Sequence, residues 1–285
     1  MTGQPIVLVT GCSTGIGVHI AVGLAQAGHR VVATMRDLGK RQVLLAEAQK
    51  AGVELDLRAL DVTEPASIDA CVAGLMADYG RIDVLVNNAG AGVIASLEQT
   101  SDADLRWIME VNFFGVWNLT KAIVRHMREA GKGRIVSVTS VGGMVGQPLN
   151  DAYCAAKFAV EGMMESLAPI ALAMGVRVSV VEPGPVNTEF MTSANAASTQ
   201  AEAALTPPYQ RIAANYHALS AQAFASQGQS ATEVAATVVE VVLAEMPPFR
   251  TMTSEMVRAM VAAKAGDETG NSVIENFARV VAGWE

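Results

Sequence analysis

The sequence predicts a single-domain, Rossmann-type α/β fold, a doubly wound sheet of about seven parallel strands with helices on both faces. Three observations predict it. Short apolar runs recur without polar alternation, as in strands covered on both faces. Longer segments of helical pattern alternate with them. A glycine-rich stretch joins the first run to the first helix.

In chain order, strands are expected at residues 6–10, 30–35, 55–60, 84–87, 134–139, 177–182 and 250–253. Helices are expected at 15–27, 39–51, 66–79, 102–130, 151–174, 209–227 and 232–245. No composition shift marks a boundary, so residues 1–285 are expected to form one domain. Residues 192–208 are rich in Ala, Ser, Thr, Asn and Gln and follow a strand end. They read as a surface loop or as part of a lid spanning 186–228. The segment 254–285 is expected on the substrate side and carries no readable motif.

Twenty basic and 28 acidic side chains give a net charge of −8. Such a surface repels nucleic acid and anionic membranes, so neither is an expected partner. No apolar run reaches the roughly 18 residues of a membrane span, and no signal peptide is read at the N-terminus. Cys12, Cys71 and Cys154 are odd in number and far apart, which suits reduced thiols in a cytoplasmic protein. The histidines, His19, His29, His126 and His217, have no metal-ligand spacing, and no metal is expected. Met144, Met191, Met252, Met256 and Met260 could border an apolar cleft or simply fill the core.

The stretch Thr10-Gly11-Cys12-Ser13-Thr14-Gly15-Ile16-Gly17 points to a dinucleotide. Gly11 allows a tight turn, Gly15 lets backbone approach a diphosphate, and Gly17 lets helix and sheet pack closely. The helix N-terminus offers N–H donors to the phosphates. Gly11 to Gly15 also fits the G-x-S-x-G turn of serine hydrolases, with Ser13 as nucleophile. That rival lacks an earlier strand to supply an oxyanion hole and leaves Gly17 unexplained. Past the second strand stand Met35, Arg36 and Asp37. An arginine suits a 2′-phosphate, and the Thr14 hydroxyl could assist, so NADP(H) is favoured. Asp37 could partly neutralise Arg36, which keeps NAD(H) open.

Tyr153 and Lys157 stand four residues apart at the start of a helix, on one face of it. A phenol titrates near 10, and a neighbouring ammonium is expected to lower that value and favour proton exchange with an alcohol or carbonyl. Ser140, at the end of the preceding strand, faces the same crevice and can hydrogen-bond the substrate oxygen. Thr139 should point the other way. A dinucleotide-binding sensor without chemistry would be expected to lose the tyrosine or lysine.

These motifs, together with Asn87-Asn88-Ala89-Gly90 and Pro183-Gly184-Pro185-Val186 with Thr188, resemble the short-chain dehydrogenases/reductases over nearly the whole chain. The resemblance implies an oxidoreductase acting on CH–OH groups. It implies that Asn112 completes a tetrad with Ser140, Tyr153 and Lys157 and holds a relay water. It further implies that Asp61 and Val62 contact adenine. Asn88, Ala89 and Gly90 would line the adenosine side. Pro183, Gly184, Val186 and Thr188 would contact the cofactor, and Lys157 would also hold the nicotinamide ribose. By the same resemblance, the helices at 102–130 and 151–174 would form a homodimer or homotetramer interface.

A closer likeness is to the estradiol 17-beta-dehydrogenase and retinol dehydrogenase branch, carried by Ala33 to Leu38, Ser140 to Gly143 and Asn150 to Cys154. It implies that Val141, Gln147, Asn150, Pro185 and Phe224 line the substrate cleft. The likeness breaks at Leu219, where the steroid enzyme has a histidine, with His217 turned nearly to the opposite helix face. Gln147 also replaces an apolar residue. The expected substrate is therefore a bulky apolar alcohol or ketone, resembling a steroid, retinoid or aryl ketone, other than estradiol itself.

Overall fold

Successive side chains of a strand point to opposite faces, and β1 (Ile6–Val9) buries both. Val7 and Val9 join one apolar cluster, and Ile6 and Leu8 join another. This two-sided burial is the cause of the unbroken apolar run. The computed structural model describes residues 3–190 and 206–283, so residues 191–205 of the expected lid, with Met191, lie outside the described residues.

The further strands are β2 (Arg30–Met35), β3 (Asp56–Ala59), β4 (Val84–Asn87), β5 (Gly133–Val138), β6 (Val176–Glu182), β7 (Val186–Asn187), β8 (Gln229–Ser230) and β9 (Arg250–Met252). Seven of them form one sheet in the order β3-β2-β1-β4-β5-β6-β9, with every neighbouring pair parallel. The strand order reverses between β1 and β4, the switch point at which such sheets open a ligand crevice.

Helices α1 (Gly15–Gln26), α2 (Gln42–Ala51) and α3 (Pro65–Tyr79) follow the first three strands, at the predicted places within a few residues. The helix expected at 102–130 is instead two. α4 (Asp102–Met109) and α5 (Gly115–Ala130) are separated by a π-helical turn, Glu110–Phe114. The Asn112 side chain explains the break, because it replaces regular backbone pairing. Its amide donates to the carbonyls of Ile108 (3.1 Å) and Ala91 (2.8 Å), and its oxygen accepts from the Ala91 N–H (3.1 Å).

Next come α6 (Asp151–Ala173), α7 (Pro207–Gln227) and α8 (Ala231–Leu243). A capping box starts α8, with the Ser230 side chain accepting from the Glu233 N–H and the Glu233 carboxylate from the Ser230 N–H. The segment without a readable motif folds into α9 (Glu255–Ala265) and α10 (Asn271–Ala282). α1, α2 and α8 cover one sheet face through Val18, Leu44 and Val238. α3, α5 and α6 cover the other through Ile68, Leu119 and Val160.

The pairing of β7 with β8 was not foreseen. It ties the start of the expected lid to its end, helped by the Gln229 N–H donating to the Pro185 carbonyl (2.9 Å). Among the described residues, no helix is long and apolar enough to cross a membrane.

Leu8 is fully buried in the central strand. Leu8→Ala should cost about 2–5 kcal/mol of stability through lost transfer energy and the cavity left behind. Urea unfolding measures this, and a loss under ~1 kcal/mol would show that the sheet collapses around the gap.

Candidate active site

The ends of β1 and β4 are stitched together by Thr10 and Asn88. The Thr10 hydroxyl accepts from the N–H groups of Asn88 (2.9 Å) and Ala89 (3.0 Å). The Asn88 amide donates to the carbonyls of Thr10 (2.9 Å) and Gly11 (3.2 Å). Gly11 (φ 72) and Gly15 (φ 62) use left-handed backbone, which glycine adopts without strain. A Cβ on Gly17 would stand 2.3 Å from the Gly11 carbonyl oxygen, so the helix could not approach the turn with any side chain there. At Gly11 and Gly15 the turn therefore offers bare backbone to a ligand, as a bound diphosphate requires.

A cavity of about 810 Å³ runs from this turn along the carboxyl edge of the sheet. Ser13, Thr14, Ile16, Arg36, Asp61 and Val62 line one end, followed by Asn88, Ala89 and Gly90. Ser140, Tyr153 and Lys157 lie on its course, with Pro183, Gly184, Val186 and Thr188. Val141, Gln147, Asn150, Pro185 and Phe224 line the other end. Of the residues given a catalytic, cofactor or substrate role from sequence, Gly17 and Asn112 alone do not line it. Asn112 is fully buried behind Gly90, where an added Cβ would meet its Oδ1 at 3.0 Å and the Lys157 Nζ at 3.6 Å.

At the turn end, Arg36 is exposed at the rim. The Asp37 carboxylate accepts from the Gly39 N–H (2.8 Å) and so caps the following turn. Asp61 likewise accepts from the Thr63 N–H (3.0 Å) and hydroxyl (2.7 Å). Thr188 sits against Gly15, 3.5 Å from where a Cβ would stand.

The Ser140 hydroxyl accepts from the Gly142 N–H (3.0 Å) and bonds Tyr153. Burial pushes the Tyr153 phenol up to about 12, and the Ser140 bond opposes this. The expected lowering by Lys157 is corrected. The i, i+4 spacing sets the ammonium beside the ring, 5.8 Å from its centroid, where it donates to the Val138 carbonyl (3.2 Å). Burial also brings the lysine down to about 8, against support from the Glu161 carboxylate. Thr139 turns away from Ser140 and donates to Glu161 and to the Val181 carbonyl (3.2 Å).

Several residues at the far end were not singled out in this role from sequence. The Phe190 ring lies 5.8 Å from that of Tyr153. Tyr216 receives a 2.6 Å bond from the Asn150 amide, and burial raises its phenol to about 12. Leu149, just before Asn150, holds φ 59, a left-handed conformation that costs a non-glycine residue about 1–3 kcal/mol. It turns the chain so that α6 starts at the cavity. Leu219, Met256 and Met260 line the cavity, whereas His217, Met144 and Met252 do not. Among the described residues, no group of His, Cys, Asp and Glu could hold a metal.

A family model described as short chain dehydrogenase matches residues 5–199. Retinol dehydrogenase 8 of Homo sapiens is 39% identical, covering 96% of this chain and 89% of that protein. The 17-beta-hydroxysteroid dehydrogenase type 1 of Homo sapiens is 36% identical, covering 98% and 87%. Among solved structures, a short-chain dehydrogenase from Streptomyces avermitilis is 29% identical, with a TM-score of 0.81 and 100% of both chains covered. A metagenomic short-chain oxidoreductase in complex with NADP is 28% identical, with a TM-score of 0.69 over 88% of this chain and 96% of that one. A short chain dehydrogenase/reductase from Burkholderia phymatum in complex with NAD is 25% identical, with a TM-score of 0.80 over 93% and 94%.

Gly17→Ala should destabilise the protein by about 1–3 kcal/mol through overpacking and abolish dinucleotide binding. Thermal unfolding and quenching of intrinsic fluorescence by NADPH read the two effects. Unchanged binding would remove the glycine turn from the site.

Proposed function

Because the chain belongs to the short chain dehydrogenase family, whose members act on CH–OH groups, we propose that it moves a hydride between NADP(H) and a bulky apolar secondary alcohol or ketone, resembling a steroid, retinoid or aryl ketone. Family membership displaces the serine-hydrolase reading of Ser13. One observation carries the proposal: Ser140, Tyr153 and Lys157 meet midway along a cavity that has glycine backbone at one end and Val141, Leu219, Phe224 and Met256 at the other.

The glycine turn would hold the diphosphate, Asp61 and Val62 the adenine, and Arg36 the 2′-phosphate. Asn88, Ala89, Gly90, Pro183, Gly184, Val186 and Thr188 would complete the cradle. The bound nicotinamide supplies or accepts the hydride. Tyr153 is protonated at neutral pH and gives its proton to the developing alkoxide during reduction. The Ser140 hydroxyl orients the substrate oxygen. Lys157, which lies beside the Tyr153 ring, would hold the ribose hydroxyls, and the Ser140 hydroxyl favours the phenolate left behind. Asn112 pins Gly90 and Ala91 beside Lys157.

The apolar lining supports a lipophilic substrate, and Leu219 in place of a polar reader supports one without a distal hydroxyl. In this reading, residues 1–285 act as one domain, with a lid over 186–228 and a substrate-side segment at 254–285. Exposed Leu105, Trp117, Phe158 and Ile170 support a homodimer or homotetramer through α4, α5 and α6. We read the enzyme as cytoplasmic from its net charge of −8 and its three free cysteines.

NADPH consumption across a panel of steroids, retinoids and aryl ketones tests the activity. Tyr153→Phe should lower turnover about 10²–10⁴-fold with cofactor affinity kept, and unchanged turnover would refute the tyrosine's role. Arg36→Ala should lower the preference for NADPH over NADH in kcat/KM, and an unaltered preference would show that Arg36 does not read the phosphate.

A further inference from the structure

Behind Lys157 lies a buried charge cluster that the proton transfer at Tyr153 does not use directly. Glu161 follows Lys157 by one helical turn on α6 and is 4% exposed. Arg250 on β9 pairs with its Oε2 at 2.8 Å. The same guanidinium pairs with Glu182, at the end of β6 and wholly buried. It also reaches Glu165, one turn further along α6 and largely exposed, at 3.4 Å.

The position of Glu161 links it to the active site twice. Its carboxylate accepts the Thr139 hydroxyl. Thr139 lies between Val138, whose carbonyl receives the Lys157 ammonium, and Ser140. Its charge also acts on Lys157 directly, opposing the burial that would strip the lysine's proton.

We propose that Glu161 is a positioning residue, which keeps Lys157 in its charged form and fixes the strand end that carries Ser140. The proposal rests on the dehydrogenase reading of Lys157. Its second half is the role of Arg250, the cation that keeps Glu161 ionised although Glu182 competes for it.

The groups facing this lysine and carboxylate are few. From α6 they are Tyr153 and Glu165, from the residue just past β5 Thr139, from β6 Glu182, and from β9 Arg250. The π-helical turn presents Asn112, which is spent on backbone groups. Lys264 on α9 donates instead to the Met144 carbonyl (2.6 Å) and lies over the Phe158 ring. Burial raises Glu182 to about 7, with the Glu161 charge adding to the effect and Arg250 opposing it. Burial likewise raises Glu161, while the Thr139 bond and Arg250 hold it down.

The sign of the effect is fixed by charge. An ammonium beside a carboxylate holds its proton to higher pH than one without it. Glu161→Gln keeps an acceptor for Thr139 and removes the charge. Lys157 should then lose its proton at lower pH, by about one pH unit.

The test is an NMR titration of the lysine Cε resonances in the full chain, with the Lys157 signal assigned from Lys157→Arg. The wild type should titrate near pH 8 and E161Q about one pH unit lower. The alkaline limb of kcat/KM for carbonyl reduction should move with it. Glu182→Gln lies in the same cluster and should leave the lysine at or above its wild-type midpoint. Superimposable Lys157 titrations in wild type and E161Q overturn the proposal, and so does an equal fall in E182Q. Should E161Q fail to fold, Glu161→Met, of similar length and without charge, takes its place: the Lys157 midpoint must again fall, and an unmoved one overturns the proposal. The NMR readout needs no turnover, so failure of the dehydrogenase reading would show in the kinetics alone.

Discussion

The structure depends on how the ends of β1 and β4 are held together. Parallel strands leave their last backbone groups unpaired where the order reverses, and here Thr10 and Asn88 satisfy them reciprocally. That bonding fixes the glycine turn on one side and the Asn88–Gly90 segment on the other. Gly90 in turn abuts Asn112 and Lys157. A displacement at Thr10 would thus reach Lys157 through Asn88, Ala89 and Gly90, without passing through the apolar core.

The second constraint is electrostatic. An amine and two carboxyl groups are buried within the same region, at the ends of β5 and β6 and along α6. Buried charges are tolerated where they are paired and hydrogen-bonded. Arg250 is the cation that meets both carboxylates, and it stands on the last strand of the sheet. The edge strand β9 therefore has an electrostatic role at the centre of the molecule, beyond completing the sheet.

The sheet and the order of its helices were legible because burial on both faces leaves a plain trace in hydropathy, as in Ile6 to Val9. Gly11, Gly15, Gly17, Ser140, Tyr153 and Lys157 were legible because regular elements fix their spacing. What escaped was set by tertiary contact. The π-helical turn at Glu110–Phe114 follows from the bonds of Asn112 to Ala91, across a gap in sequence that no periodicity records. Tyr216 and Phe190 reach the cavity from elements whose approach is decided by packing. The partnership of Glu161 with Arg250 spans 89 residues, and a charged side chain on a helix ordinarily signals solvent.

The short ribbon of β7 and β8 has an evolutionary consequence. Chain that leaves the sheet at Asn187 comes back beside it at Gln229. The entropy of closing such a loop grows only with the logarithm of its length, about 0.6 kcal/mol for each doubling. Residues can be gained or lost between the two strands with little penalty to the fold and no shift of Ser140, Tyr153 or Lys157. The stretch between β7 and β8 is thus free to diverge in length as a separate module, with the carboxyl edge of the sheet left in place.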